Sequence, residues 1–231
     1  MRKVWLAFLM GGLMALWSAP ASASPVSLSN NGTPDYKNIC FSDTANNIFE
    51  AYDYFTLGSA SKITGIEWWG VYYGANTPPK GGNLFEYEIQ SNPGSNGQPN
   101  GEYDSDSGSL GSGSPVNTGS HSFAIGGSYN VYEFNATTSI SLPAGSYFLT
   151  IYGTVSDPGN MYGWATSEET QTDEWSYSPA FHFWDGPSDA GLAFNLTGNY
   201  ETASTPEPVS LIFFGTGLVA VGGYVARRRS R

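Results

Sequence analysis

The 231-residue chain is poor in cysteine, in histidine and, over most of its length, in positive charge. Cys40 stands alone, so no intramolecular disulfide can form and the fold must be held by packing. Its thiol reads as a small buried hydrophobe rather than an intermolecular crosslink or a nucleophile. The two histidines, His121 and His182, are far apart in sequence, and neither has a His or Cys at ligand spacing. That inventory argues against a transition-metal centre. Between residues 24 and 205 only Lys37, Lys62 and Lys80 are basic, against 19 acidic residues, leaving a formal charge of −16. Such a surface repels phosphate backbones, so a nucleic-acid partner is not expected. The chain also has no Gly-x-Ser-x-Gly elbow and no papain-type cysteine context. No internal segment holds a helical period.

What is present begins with two ends that read as addresses. Arg2 and Lys3 precede an apolar stretch over 4–17 and then Ala19-Pro20-Ala21-Ser22-Ala23. Ala21 and Ala23 supply the small side chains that signal peptidase requires, so residues 1–23 are expected to be a signal peptide cut after Ala23, with export through the Sec route. The 14-residue apolar stretch is short for a membrane span, which disfavours an uncleaved anchor.

At the other end, Pro206-Glu207-Pro208 abuts an uncharged apolar run over 209–226, followed by Arg227, Arg228, Arg229, Ser230 and Arg231. As a helix the run would be roughly 27 Å long, close to the ~30 Å hydrocarbon core. The arginines would hold that end in the cytoplasm, and the prolines break helix continuity upstream. This order, Pro-Glu-Pro, membrane segment, arginine cluster, chain end, resembles the PEP-CTERM sorting signal of Gram-negative bacteria that make exopolysaccharide. The resemblance implies recognition by exosortase, processing near Pro206-Glu207-Pro208, membrane insertion before processing, and a final place at the cell surface or in the extracellular matrix. A plain anchor leaves the abutting Pro-Glu-Pro to coincidence. A glycolipid-anchor signal would end in its apolar run, and a Gram-positive wall signal would need Leu-Pro-x-Thr-Gly.

Between the two ends, short runs rich in aromatic and β-branched residues recur between Gly, Pro, Asn and Asp. They predict strands over 51–57, 62–73, 83–90, 129–135, 138–142, 146–155, 161–167, 179–184 and 191–197. Alternation in Leu84-Phe85-Glu86-Tyr87-Glu88-Ile89 places Phe85, Tyr87 and Ile89 on one face and Glu86 and Glu88 on the other. Half-buried strands of this kind predict an all-β fold, a single antiparallel β-sandwich of jelly-roll type over 24–198. Gly, Ser, Asn and Pro supply 22 of the 30 residues over 91–120, which reads as a flexible loop. An acidic stretch over 168–174 reads as solvated, and 199–205 as a stalk before the sorting signal at 206–231. The motifs Tyr54-Phe55-Thr56-Leu57, Ile63-Thr64-Gly65-Ile66-Glu67-Trp68-Trp69-Gly70, Leu142-Pro143-Ala144-Gly145-Ser146-Tyr147 and Leu192-Ala193-Phe194-Asn195-Leu196-Thr197-Gly198 together resemble a recurrent secreted bacterial β-sandwich module. That resemblance implies a fold and an extracellular setting, not an activity.

No catalytic or cofactor-binding residue stands out. Glu102-Tyr103-Asp104-Ser105-Asp106-Ser107-Gly108 is a fragment of a calcium loop without the downstream bidentate Glu, so it reads first as a solvated acidic loop. Glycoside hydrolysis needs only two carboxylates, and Glu67, Glu86 and Glu88 fall on predicted strands, yet nothing marks a pair. The abundance of tryptophan points instead to binding, because aromatic faces stack on sugar C–H surfaces. Trp69, Trp164 and Trp184 are the candidate glycan-stacking residues, with core packing as the competing role; Trp68 and Trp69 are adjacent, so one of them must point inward. The expectation is a non-enzymatic surface or matrix protein associated with exopolysaccharide or biofilm, structural, adhesive or glycan-binding. A secreted glycoside hydrolase or lyase with the same tail is the alternative.

Overall fold

The computed structural model describes residues 24–201, apart from 46–48, 75, 80–83, 92–96, 100–103, 123–125, 155–158, 170–173, 179 and 189. The expected signal peptide at 1–23 and the sorting signal at 206–231, with Pro206, Glu207, Pro208 and the arginine cluster, lie outside the described residues. Among the described residues no helix is long and apolar enough to cross a membrane.

The strands, in chain order, are β1 (Val26–Asn30), β2 (Pro34–Phe41), β3 (Glu50–Leu57), β4 (Ser61–Gly74), β5 (Phe85–Ser91), β6 (Asp104–Gly111), β7 (Val116–Ser122), β8 (Tyr129–Leu142), β9 (Gly145–Gly153), β10 (Asn160–Ser167), β11 (Glu174–Ser178), β12 (Phe183–Ser188) and β13 (Phe194–Tyr200). They form two antiparallel sheets, as the alternating pattern predicts. The first sheet is built on β4, whose 14 residues pair with β8 along one edge and with β13 and then β10 along the other. β1, β2 and β7 complete it. The second sheet runs β12-β11-β3-β9-β5-β6.

The two sheets meet through aromatic rings. Phe85 of the second sheet sits between three rings of the first, with centroids 4.8 Å from Tyr162, 4.9 Å from Phe134 and 5.4 Å from Trp68. Trp68 stacks on Phe134 at 5.3 Å and 12°, and all four side chains are wholly buried. Toward the other end of the core Phe55 approaches Phe194, which in turn meets Trp164.

Three expectations need correction. The segment 91–120 is not a loop throughout, because it contains β6 and most of β7. Its small residues are what its aromatic neighbours require. A Cβ on Gly108 would lie 3.1 Å from the ring of Tyr87, and one on Gly113, whose φ is +61°, would lie 2.7 Å from the indole of Trp68. The strand expected over 179–184 is interrupted: 180–182 form a turn, His182 has a φ of +53°, and the surrounding residues are the hairpin of β11 and β12. The stalk expected from 199 begins later, since Asn199 and Tyr200 continue β13 against Lys62 and Ser61, and the Glu201 amide donates to the carbonyl of Ala60. β1 and β2 lie where no strand was expected, in segments with little alternation.

Two substitutions test this account. Phe85→Ala should lower the unfolding free energy by about 3–5 kcal/mol in urea titrations, since it empties a site ringed by aromatics that cannot all collapse inward. Gly113→Ala should be the more damaging of a pair with Gly111→Ala, by about 1 kcal/mol or more. Both glycines have positive φ, but only at Gly113 would the new methyl meet a ring. Equal losses would mean that backbone conformation alone selects glycine there.

Candidate functional site: an acidic and aromatic sheet face

In β3 the core takes Ala51, Phe55 and Leu57, so Glu50, Tyr52 and Tyr54 project from the opposite face of the second sheet. In β9 the core takes Tyr147, Leu149 and Ile151, leaving Phe148, Thr150 and Tyr152 on that face. In β5 it takes Phe85, Tyr87 and Ile89, leaving Glu86 and Glu88. The strand registers align these residues into rows. Tyr52, Thr150 and Glu88 are cross-strand neighbours, as are Tyr152 and Glu86. β11 adds Trp175 opposite Tyr52 and Tyr177 opposite Glu50, and β12 adds Trp184 opposite Tyr177.

One side of this face is aromatic. Trp184 lies 5.1 Å from Tyr52 and 4.8 Å from Tyr177, while Tyr54 meets Phe148 edge-on at 5.6 Å. Tyr52, Phe148 and Trp175 are buried beneath, and Trp184, Tyr177 and Tyr54 are half-buried above them. The other side is acidic. The Tyr52 hydroxyl donates to Glu50 at 2.8 Å, the Gln90 amide donates to Glu88 at 2.8 Å and reaches the Tyr52 oxygen at 3.5 Å, and the Tyr152 hydroxyl donates to Glu86 at 3.3 Å. Burial raises the Glu50 carboxyl above its ordinary range, and the Tyr52 hydrogen bond opposes that rise. Burial also pushes both phenols upward, with the neighbouring carboxylates adding to it: Glu50 and Glu88 at Tyr52, Glu86 first at Tyr152. The phenols therefore stay protonated and serve as neutral donors to the acids.

A second polar cluster faces the interior. Asp53 Oδ2 accepts from the Leu192 amide at 2.6 Å and from Asn31 Nδ2 at 2.8 Å, and its Oδ1 accepts from the Tyr54 amide at 2.8 Å. Burial nevertheless raises this carboxyl to about 7, outweighing those three donors. Nearby, Glu174 accepts from the hydroxyls of Ser176 and Ser188. The Cys40 thiol is pushed well up, first by burial and then by the charge of Glu174, which keeps it protonated and unsuited to nucleophilic work.

The three candidate tryptophans separate. Trp164 is wholly buried between the sheets, its indole N–H donating to the Ala193 carbonyl at 2.9 Å, so it cannot stack on a glycan. Trp69 is 8% exposed, packed on the outer side of the first sheet with Val71, Val131 and Ala193, beside Tyr36, Ile39 and Tyr129. Its neighbour Trp68 is the one that points inward. Only Trp184 joins the face described above. Glu86 and Glu88 share that face, whereas Glu67 lies on the first sheet, accepting from Asn195 Nδ2 at 3.3 Å. Asp106, from the calcium-loop fragment, lies in β6 opposite Ile89. Among the described residues no group of three His, Cys, Asp or Glu converges as metal ligands. His182 sits in the β11–β12 turn against the Tyr177 hydroxyl at 3.2 Å, and His121 pairs with Asn130 in the first sheet. Tyr52 and Tyr177 are not singled out by the sequence, although the alternation in Glu174-Trp175-Ser176-Tyr177 carries the signal for the second of them.

No protein-family model matches the chain, and none of the curated proteins matches it either.

The interior cluster makes a pH prediction. A carboxyl raised in the folded state lends its full stabilisation below its ordinary value of about 4 and loses it as pH rises through about 7. Urea midpoints should therefore fall between pH 5 and pH 8, and Asp53→Asn should flatten that slope even if it lowers the midpoint overall. Parallel pH profiles for the two proteins would show that Asp53 does not titrate in this range.

Proposed function

We propose that this is an exported bacterial surface protein whose sandwich binds glycan in an exopolysaccharide matrix without transforming it. The Ala21 and Ala23 context supports signal-peptidase processing, and the Pro206-Glu207-Pro208 tail with Arg227, Arg228, Arg229 and Arg231 supports sorting by exosortase from a membrane-inserted precursor. The observation that carries the binding role is the outer face of the second sheet. There Trp184 and Tyr177 offer apolar ring surface within one patch of Glu50, Glu86, Glu88 and Gln90, which accept and donate hydrogen bonds. Ring surface beside hydroxyl-seeking polar groups is the chemistry that sugar recognition needs.

A second reading, a glycoside hydrolase or lyase, has one observation in its favour. Burial raises the Glu50 carboxyl above its ordinary range on the same face as two further carboxylates, which is the direction that an acid beside a base would need.

In the producing bacterium, replacing Pro206 and Pro208 with alanine should leave a larger, membrane-bound form on immunoblots; unchanged size and location would overturn the sorting role. For the sandwich, Trp184→Ala should weaken binding to the producer's own polysaccharide by about tenfold, the loss of one stacking platform. Release of reducing ends, abolished by Glu50→Gln, would replace the binding role with the enzymatic one.

A further inference from the structure

The chain enters and leaves the sandwich at the same end. β1 and β13 run antiparallel with Val26 opposite Gly198, so the residues that precede β1 lie beside the point where β13 finishes. The exit is fastened as far as Glu201, whose amide donates to the Ala60 carbonyl at 2.7 Å and whose carboxylate accepts from the Ser141 hydroxyl at 2.9 Å. Ala23, where the signal peptide is expected to be cut, comes just before this end, and Pro206 comes just after it. Only 202–208 separate Glu201 from the apolar run over 209–226, and a chain of that length reaches about 28 Å at most. A membrane that holds the apolar run therefore lies within that distance of the β1–β13 end.

That end also differs in composition from the acidic faces. The connections that close it, 58–60 and 143–144, read Gly-Ser-Ala and Pro-Ala and carry no charge. Beside them Lys62 is exposed, and Glu201 is the acid next to it in space, whereas Glu50, Glu67 and Glu86 lie further along their strands. Two large side chains are open to solvent here. Val26 is 44% and Tyr200 52% exposed, and because Val26 faces Gly198, Tyr200 is its diagonal neighbour on the adjoining strand. A valine, a tyrosine and a lysine around small uncharged loops suit the headgroup layer of a bilayer, where amphipathic rings settle and a long cation reaches phosphate. The acids elsewhere would turn the other sides of the domain away from anionic lipid.

Resting on the reading above that the precursor is inserted through 209–226, we propose that the bilayer surface is itself a partner of the sandwich. The domain stands on its β1–β13 end, with Val26 and Tyr200 in the headgroup layer and Lys62 toward lipid phosphate. Two exposed side chains make a weak contact by themselves. The tether offsets that weakness, because it keeps this end at a high effective concentration against the surface. Upright docking would keep the Pro206-Glu207-Pro208 motif close to the bilayer, where a membrane protease works. The same contact would serve the cut after Ala23, since the chain enters the fold at that end.

The test uses the full-length protein reconstituted into phosphatidylethanolamine–phosphatidylglycerol vesicles that carry a nitroxide on a lipid headgroup. A fluorophore is placed on Ala144→Cys at the docked end or on Leu84→Cys at the opposite end, each in a Cys40→Ser background. Quenching should be strong at position 144 and weak at position 84. Val26→Ser with Tyr200→Ser should cut the ratio of docked to undocked protein about tenfold, the loss of two apolar contacts. Lys62→Glu, a change of an exposed side chain, should lower quenching in the same direction, so the result does not rest on the folding of one variant. Leu84→Ser with Phe181→Ser, a comparable apolar loss at the opposite end, should leave quenching at position 144 as it was. Equal quenching at the two labels, or quenching at position 144 that survives both the paired change and Lys62→Glu, would overturn docking and leave membrane insertion standing. Release of the protein from the vesicles by an alkaline wash would overturn insertion and with it the docking.

Discussion

The structure depends on the insertion of Phe85 between Trp68, Phe134 and Tyr162. With no disulfide and few cations to make ion pairs, the two sheets are held face to face chiefly by apolar contact, with polar links such as those that Asp53 accepts from Asn31 and Leu192. Phe85 of the second sheet meets three rings of the aromatic cluster of the first, and its contacts span β4, β8 and β10. Those three strands are adjacent because β4 is long enough to pair with β8 and β10 on opposite edges. The ring cluster and the central strand therefore enforce each other: the ladder brings Trp68, Phe134 and Tyr162 together, and the cavity they form fixes where β5 must dock. Everything on the outer face of the second sheet is placed by that docking, since Phe85 on one side of β5 dictates that Glu86 and Glu88 emerge on the other.

That coupling explains what could be read from the sequence. The strands expected over 51–57 and 62–73 are found with small changes at their ends, as is the strand over 83–90, where alternation separates Phe85, Tyr87 and Ile89 from Glu86 and Glu88. Period-two patterning is a local consequence of a one-sided core, so it is visible without knowing the partner strand. The segment over 91–120 misled for the opposite reason. Glycine there answers to Tyr87 and Trp68, rings that are distant in sequence, and a composition dictated by remote neighbours looks the same as that of a loop. The edge strands β1 and β2 were missed because much of their surface is exposed and little alternation results.

The candidate site was half legible. Trp184 and the two glutamates could be named, but their meeting depends on the order β12-β11-β3-β9-β5, which no local pattern encodes. Trp164 and Trp184 look alike in the sequence, because tryptophan count says nothing about direction. Only the sheet pairing shows that one indole fills the core against Phe194 while the other caps Tyr52 at the surface. The buried Asp53 gave no signal at all, since its reason for being there is three donors from the residue after β1, from β3 and from the approach to β13.

The scarcity of cations, the first feature of the sequence, shapes how this fold treats its acids. A carboxylate held at a sheet surface or inside a core needs donors, and where arginine and lysine are missing these must be neutral. The chain uses phenols at Glu50 and Glu86, an amide at Glu88, serines at Glu174 and backbone N–H groups at Asp53. Neutral donors satisfy the geometry of a carboxylate but leave its charge in place. Inside the core that residual charge appears as an Asp53 carboxyl raised to about 7, a cost borne by the fold. On the outer face of the second sheet Glu50 and Glu86 are met in the same way, by the neutral hydroxyls of Tyr52 and Tyr152.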